Sequence, residues 1–195
     1  MDTEKQDSIP KEEDKKQSFW ELVRFLALAI IIVAPIRMYV AQPFVVSGSS
    51  MSPTFSTGDY LIVDEISYRI SDPERYDVAV FKYPNDIEKF FIKRIIGMPN
   101  EIVEIKGNTV TIFNKENPEG FEIEQPYVKW EGNNNIHFEL KDNEYFVMGD
   151  NRSASSDSRY WGAVSRDLME GRALVRLLPI QDVSVLPGNY KPIQN

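Results

Sequence analysis

The chain has 195 residues, room for one domain, or one domain with an inserted lobe, around a sizeable core. Its 30 acidic residues against 22 basic ones leave a formal net charge of −8, which excludes the basic face expected of a nucleic-acid binder. It has no cysteine, so thiol catalysis, disulfides and thiolate metal sites are out, and its one histidine, His137, reads as a solvated loop residue among asparagines.

Residues 1–18 are polar and densely charged and read as a disordered cytoplasmic tail. Residues 19–40 are the hydrophobic peak of the chain. Between Arg24 and Arg37 the apolar run covers roughly 18 Å, short of a hydrocarbon core of about 30 Å. The whole stretch covers about 32 Å, so it spans a membrane if Arg24 and Arg37 snorkel toward the two interfaces. Glu21 and Arg24 can pair one turn apart, Trp20 and Tyr39 sit where interfacial aromatics belong, and Pro35 lies near the outer end. A cleaved signal peptide and a buried core helix compete with this reading. No small-x-small site follows promptly, and the length and flanking aromatics favour a retained transmembrane anchor. Lys5, Lys11, Lys15, Lys16 and Arg24 precede or enter the apolar run, and after Arg37 the next basic residue is Arg69. The positive-inside rule then leaves the N-terminus in the cytoplasm and residues 41–195 outside, with a single pass of the cell membrane.

Val46–Thr54 is small, polar and turn-prone and holds four serines. Pro53 fixes its own φ, and Gly48 permits backbone angles that a side chain would forbid. A hydroxyl on such a turn is how a serine nucleophile is presented, although Ser/Gly/Pro clusters are mostly plain loops. With His137 set aside, a serine hydrolase on this chain would take its base from lysine.

From residue 44 onward short runs rich in β-branched and aromatic residues predict strands at Asp59–Ile66, Asp77–Tyr83, Glu88–Gly97, Ile102–Ile105, Thr109–Phe113, Ile136–Leu140, Glu144–Met148 and Arg172–Leu178. Turn residues bound them, with Lys106–Thr109 as a hairpin signal and a helical turn at Ser165 with Asp167 in its first turn. The expected fold is mainly β: a coiled antiparallel sheet or partly open barrel, with residues 98–143 as a small inserted β lobe.

Lys93 shares a strand face with Phe91 and Ile95, and Arg94 shares the other with Phe90, Ile92 and Ile96. Both faces are apolar, so at least one cation is covered. Two snorkelling cations at a sheet edge are one reading. The other is a desolvated lysine whose lowered pKa makes a neutral amine available as general base for a serine hydroxyl. Gly149–Gly162 follows a strand and carries Asp150, Asp157 and Arg159 among serines. It is too sparse in carboxylates for an EF-hand loop. It fits either a plain ordered loop with Asp–Arg pairs or a loop whose hydroxyls orient a lysine.

Together these stretches resemble bacterial type I signal peptidase. The resemblance rests on the N-terminal apolar stretch, on Ser47–Thr54 as Ser-Gly-x-Ser-Met-x-Pro-Thr with one extra serine, on Lys93–Pro99 as Lys-Arg-Ile-Ile-Gly-Met-Pro, and on Gly149–Gly162. It implies a serine endopeptidase with Ser50 as nucleophile and Lys93 as base, chosen by the Met51 that follows Ser50. It further implies that Ser155 hydrogen-bonds the lysine, that Asp157 pairs with Arg159, and that Asp150 heads the same loop. Val46 and Ile92 would line a shallow pocket for small side chains. The implied partners are preproteins whose signal peptides end small-x-small, and the lipid bilayer, with no cofactor and no metal. Two departures stand out. Gly48 occupies the place of a serine that helps hold the oxyanion in some members, which shifts that task to backbone N–H groups, chiefly that of Ser50. Asn100-Glu101 replaces Gly-Asp, where Asn tolerates a left-handed turn and Glu keeps the charge. Ser50 lies about ten residues past the anchor, at most some 33 Å of chain, so Phe44, Met51 and Phe55 beside it are expected to reach the membrane interface. A related Ser/Lys processing protease with a different substrate, and a catalytically inactive membrane-tethered binding module, remain as alternatives.

Overall fold

The structure, a computed structural model, describes residues 12–39, 41–128 and 134–192, apart from the side chains of 12–17, 35–39, 41 and 134. It divides into two compact units, Met1–Val40 and Ala41–Asn195.

The first unit holds one helix, α1 (Glu12–Tyr39). The helix begins six residues ahead of Ser18, so residues 12–18 are helical and not part of an irregular tail; the charged run Glu12–Lys16 is compatible with a helix because Glu and Lys are good helix formers. The rest of the expected tail, residues 1–11, lies outside the described residues. Phe25, Leu28, Ile31 and Val33 are exposed on different sides of α1. Among the described residues no helix is long and apolar enough to cross a membrane. The side chains of Pro35, Arg37 and Tyr39, which complete the expected anchor, lie outside the described set.

The second unit is built on antiparallel strands: β1 (Ala41–Val45), β2 (Tyr60–Asp64), β3 (Val78–Tyr83), β4 (Asp86–Gly97), β5 (Ile102–Gly107), β6 (Thr109–Phe113), β7 (Phe121–Glu122), β8 (Asn134–Glu139), β9 (Glu144–Met148), β10 (Val164–Ser165), β11 (Met169–Leu178) and β12 (Ser184–Val185). Eight of them form one sheet in the order β1-β2-β11-β3-β4-β9-β10, with β12 against β11. The path runs from β1 to β10 without closing on itself, so the sheet is open and there is no closed barrel among the described residues. β7, β6, β5 and β8 form a second sheet from residues 102–139.

Two elements differ from expectation for local reasons. β1 starts at Ala41, directly after the apolar stretch; its Pro43 is tolerated because β1 is an edge strand. The run Asp59–Ile66 ends as a strand at Asp64, whose carboxylate accepts from Ser67 N (3.1 Å) and Ser67 Oγ (2.5 Å) and turns the chain into a short helix, α2 (Ile66–Ile70). The predicted turn at Ser165 is a 3₁₀ turn over Arg166–Leu168 with Asp167 in it.

Both faces of the main sheet are covered. Ile96, Phe146 and Met148 on one face share a core with Val103, Ile105, Val110 and Ile112 of the second sheet, so the lobe and the main sheet bury each other's apolar faces. Ala79, Phe81, Ile95 and Val147 pack on the other face with Tyr68 of α2. β4 crosses between these layers, and its residues from Lys93 to Gly97 are all buried. That placement covers two adjacent cations at once. A third cluster, Val46, Met51, Phe55, Leu61, Val78 and Ala173, lies under the serine-rich turn.

Candidate active site

The serine-rich turn leaves β1 and returns to β2. Gly48 has φ of +101°, a conformation that favours glycine, and its peptide is pinned on both sides by Thr57: Gly48 N donates to Thr57 Oγ1 (3.1 Å), which donates to Gly48 O (3.1 Å). Phe55 N donates to Met51 O (2.9 Å), a single helical turn that points both side chains inward. Met51 and Phe55 are fully buried in the core under the turn and do not reach outward, which corrects the expectation of an interfacial role. Phe44 is partly buried and meets Phe90 edge-on at 5.3 Å.

Lys93, on β4 opposite Ala79, is 4% exposed. Its Nζ donates to Ser50 Oγ (2.8 Å) and to Ile92 O (2.9 Å). Burial lowers its pKa from 10.5 to about 8, against the opposing pull of the Asp157 and Asp150 carboxylates. The Phe91 ring lies 5.2 Å from Nζ and helps exclude water. A lysine in this state supplies a neutral amine at mildly alkaline pH, which accepts the proton of a serine hydroxyl at this distance.

Arg94, weighed from the sequence only as a covered cation, is fully buried and organises the site from behind. Its Nε donates to Asp150 Oδ1 (2.9 Å), its Nη2 to Asp150 Oδ2 (2.6 Å) and its Nη1 to Tyr76 O (3.0 Å), with the Tyr127 ring over the guanidinium at 3.9 Å. Thr54 Oγ1 donates to the same Asp150 carboxylate (2.5 Å). Asp150 therefore joins the strand that carries the lysine to the turn that carries the serine. Arg176, which the sequence did not flag, adds bonds from Nη1 to Thr54 O and to Asp59 Oδ2 (3.0 Å each). Nothing in local sequence pairs residues so far apart; the one available signal was the mixture of Asp and Arg within short apolar strands.

The loop after β9 holds the turn by its backbone. Asn151 N donates to Ser50 O (3.0 Å) and Asn151 Nδ2 to Ser49 O (3.1 Å). Asp157 and Arg159 pair through Nε–Oδ1 (2.7 Å) and Nη2–Oδ2 (2.9 Å), and Asp157 Oδ2 accepts from Gly149 N (2.9 Å). Both carboxylates of the loop face guanidinium groups, an arrangement unlike that of a cation-binding loop. Ser155 is buried and packs at the α-carbon of Gly149, but its Oγ has no hydrogen-bond partner among the described residues. The expected bond from Ser155 to Lys93 is not formed; the bonds of the amine go to Ser50 Oγ and Ile92 O.

A cleft of about 690 Å³ opens at the pair, lined among others by Val46, Ser50, Ile92, Lys93, Phe44 and Phe90. Val46 and Ile92 line this cleft beside Ser50 and Lys93. Asn100 adopts φ of +64°, and Glu101 is buried against Arg75 (2.6 Å) while accepting from Met98 N (2.8 Å), so the departure from Gly-Asp is structurally accommodated. His137 lies on β8 and not in a loop, and is exposed, 3.9 Å from Glu104.

Residues 19–178 match the family described as signal peptidase, peptidase S26. A probable signal peptidase I-2 of Synechocystis sp. is 37% identical over 185 residues, 92% of this chain and 82% of that protein. A signal peptidase I of Leptolyngbya laminosa is 33% identical over 180 residues, 87% of this chain and 86% of that protein. One of Aquifex aeolicus is 31% identical over 229 residues, 86% of this chain and 88% of that protein.

Proposed function

Because the chain belongs to the peptidase S26 family of signal peptidases, which are serine hydrolases, we propose that it removes N-terminal signal peptides from preproteins with Ser50 as nucleophile and Lys93 as general base. The observation that carries this reading is the 2.8 Å contact between a buried lysine amine and a serine hydroxyl at the edge of a cleft.

Neutral Lys93 accepts the Ser50 Oγ proton as Oγ attacks the scissile carbonyl carbon. The oxyanion forms beside the backbone N–H of Ser50, with Gly48 and its Thr57 clamp fixing that stretch of backbone. Collapse breaks the C–N bond, and the Lys93 ammonium returns the proton to the departing amine of the mature protein. Water then gives a proton to Lys93 and attacks the acyl carbon; the C–Oγ bond breaks, Lys93 returns that proton to Ser50 Oγ, and the signal peptide leaves as a carboxylate. General-base help of this kind is worth about 10²–10⁴-fold in rate. Asp150, Asp157 and Arg159 act by holding the serine turn and the lysine strand in register. Val46 and Ile92 form the wall that favours small side chains before the cut.

The apolar stretch 19–40 is assigned as a membrane anchor with residues 41–195 on the outer side. Support comes from the apolar side chains exposed around α1 and from the basic residues that precede the stretch. Single cysteines placed at positions 8 and 116 of this cysteine-free chain test the orientation: an impermeant thiol reagent added to intact cells should label only the second.

Cleavage of a model preprotein in detergent, with the cut read by mass spectrometry, tests the activity. A single cut after a small-x-small sequence, lost in Ser50→Ala and in Lys93→Ala, is expected. A cut that survives Ser50→Ala would move the nucleophile elsewhere.

A further inference from the structure

The stretch after β12 lies beyond the family match at residues 19–178, and no sequence motif singled it out. It nonetheless touches each part that holds the dyad. Leu186 N donates to Leu174 O (2.6 Å), which fixes its entry to β11, and Pro187 is buried. Gly188 O accepts from Arg94 Nη1 (2.5 Å). Tyr190 stands edge-on to Tyr76 at 5.1 Å and packs on Tyr127 at 5.9 Å, and its hydroxyl donates to Glu124 of the lobe.

We propose that Leu186–Tyr190 is a strap that positions the Ser50–Lys93 pair, with Gly188 as its point of action. Gly188 has φ of +76°, and a Cβ there would lie 2.5 Å from Thr54 Cγ2 and 3.3 Å from both Arg94 Nη2 and Val78 Cγ2. Thr54 and Arg94 are the two residues that grip Asp150, one from the serine turn and one from the lysine strand. Thr54 is four residues past Ser50, and Arg94 adjoins Lys93. A side chain at 188 therefore pushes the two halves of the dyad apart through their shared carboxylate. At the other end Tyr190 presses on Tyr127, whose ring covers the same guanidinium. The strap ties β11, the lobe and the serine turn together behind a pair whose productive geometry tolerates little displacement.

The inference rests on the Ser50/Lys93 reading, and its test separates the two. Full-length Gly188→Ala in detergent is expected to lose about tenfold or more in kcat with KM changed by less than about threefold. The double variant Gly188→Ala with Thr54→Ser, which deletes Cγ2 but keeps the hydroxyl for Asp150, should recover most of that loss relative to Thr54→Ser alone. Tyr190→Ala, at a partly exposed position where folding is less at risk, should lower kcat in the same way by a smaller factor. NMR of ¹⁵N-lysine-labelled protein reads Lys93 without turnover, and its titration should move up from about 8 in Gly188→Ala and return in the double variant. An unchanged kcat and an unchanged Lys93 titration in both Gly188→Ala and Tyr190→Ala would overturn the strap, as would a loss of kcat that Thr54→Ser does not relieve. Failure of the wild type to cut any preprotein would sink the functional reading instead, and the Lys93 titration would still decide on the strap.

Discussion

Lys93 is expected to destabilise the fold it serves, so Lys93→Met should give a more stable, inactive protein. In the unfolded chain Lys93 holds its proton up to the ordinary value of 10.5, whereas in the fold it releases it at about 8. Below pH 8 both states carry the proton and the folded state bears the full cost of burying it. Between 8 and 10.5 the unfolded chain binds more protons, so stability rises with pH across that window and the cost is gone above it. The difference of 10.5 to about 8 corresponds to about 3 kcal/mol at pH 7. Methionine removes that cost and fills similar volume beside Phe91, but it forfeits the bonds to Ser50 Oγ and Ile92 O, each worth about 1 kcal/mol. The net gain at pH 7 is then about 1–2 kcal/mol. Urea denaturation in mild detergent, followed by tryptophan fluorescence at pH 7 and near pH 10.5, reads it as a higher midpoint for Lys93→Met at the lower pH only, with an unchanged slope. A variant midpoint at or below wild type at pH 7, or the same difference at both pH values, would refute the burial argument.

Three further outcomes follow from the same geometry. Gly149→Ala would drive a methyl group into Ser155 and the Ser50 carbonyl, and should cut kcat by at least about tenfold; a steady-state assay within twofold of wild type would count against the loop's role in holding the turn. Asp150→Asn leaves a fully buried Arg94 without its counter-charge and should cost about 3–5 kcal/mol, whereas adding Arg94→Met should restore part of the loss; additive melting shifts would argue that the pair does not act as a unit. Ile92→Ala widens the cleft wall, so in a substrate series with Ala, Val or Leu before the cut the ratio of kcat/KM for Val over Ala should rise severalfold; an unchanged ratio would move the pocket away from Ile92.

Much of the main sheet was legible in the sequence because its strands alternate and are bounded by Gly, Pro and Asn. β3 and β4 turn at Pro84-Asn85 as their residues require. β1 was hidden because Ala41–Val45 prolongs an apolar run and carries Pro43, which only an edge strand tolerates. The inward turn of Met51 and Phe55 was hidden for another reason. Their spacing is that of a single helical turn inside a polar segment, too short for periodicity to reveal a buried side. Local setting marked Lys93 only as one of two covered cations, and it was the resemblance that singled out Ser50 among the four serines of the turn. The support of the pair was not legible, because Arg94 meets Asp150 across 56 residues and Arg176 meets Thr54 across 122. Ser155 shows the limit of transferring a contact from motif to structure: it is buried at the expected place, yet its hydroxyl does not reach the amine.

The dependence of kcat/KM on pH tests the central claim most directly, because it reports the ionisation of the free enzyme's base. With Lys93 releasing its proton at about 8, cleavage should climb about tenfold per pH unit from 6 toward 8 and level off above it. A flat profile over that range would contradict a lysine base at Lys93, as would an inflection near the ordinary lysine value of 10.5.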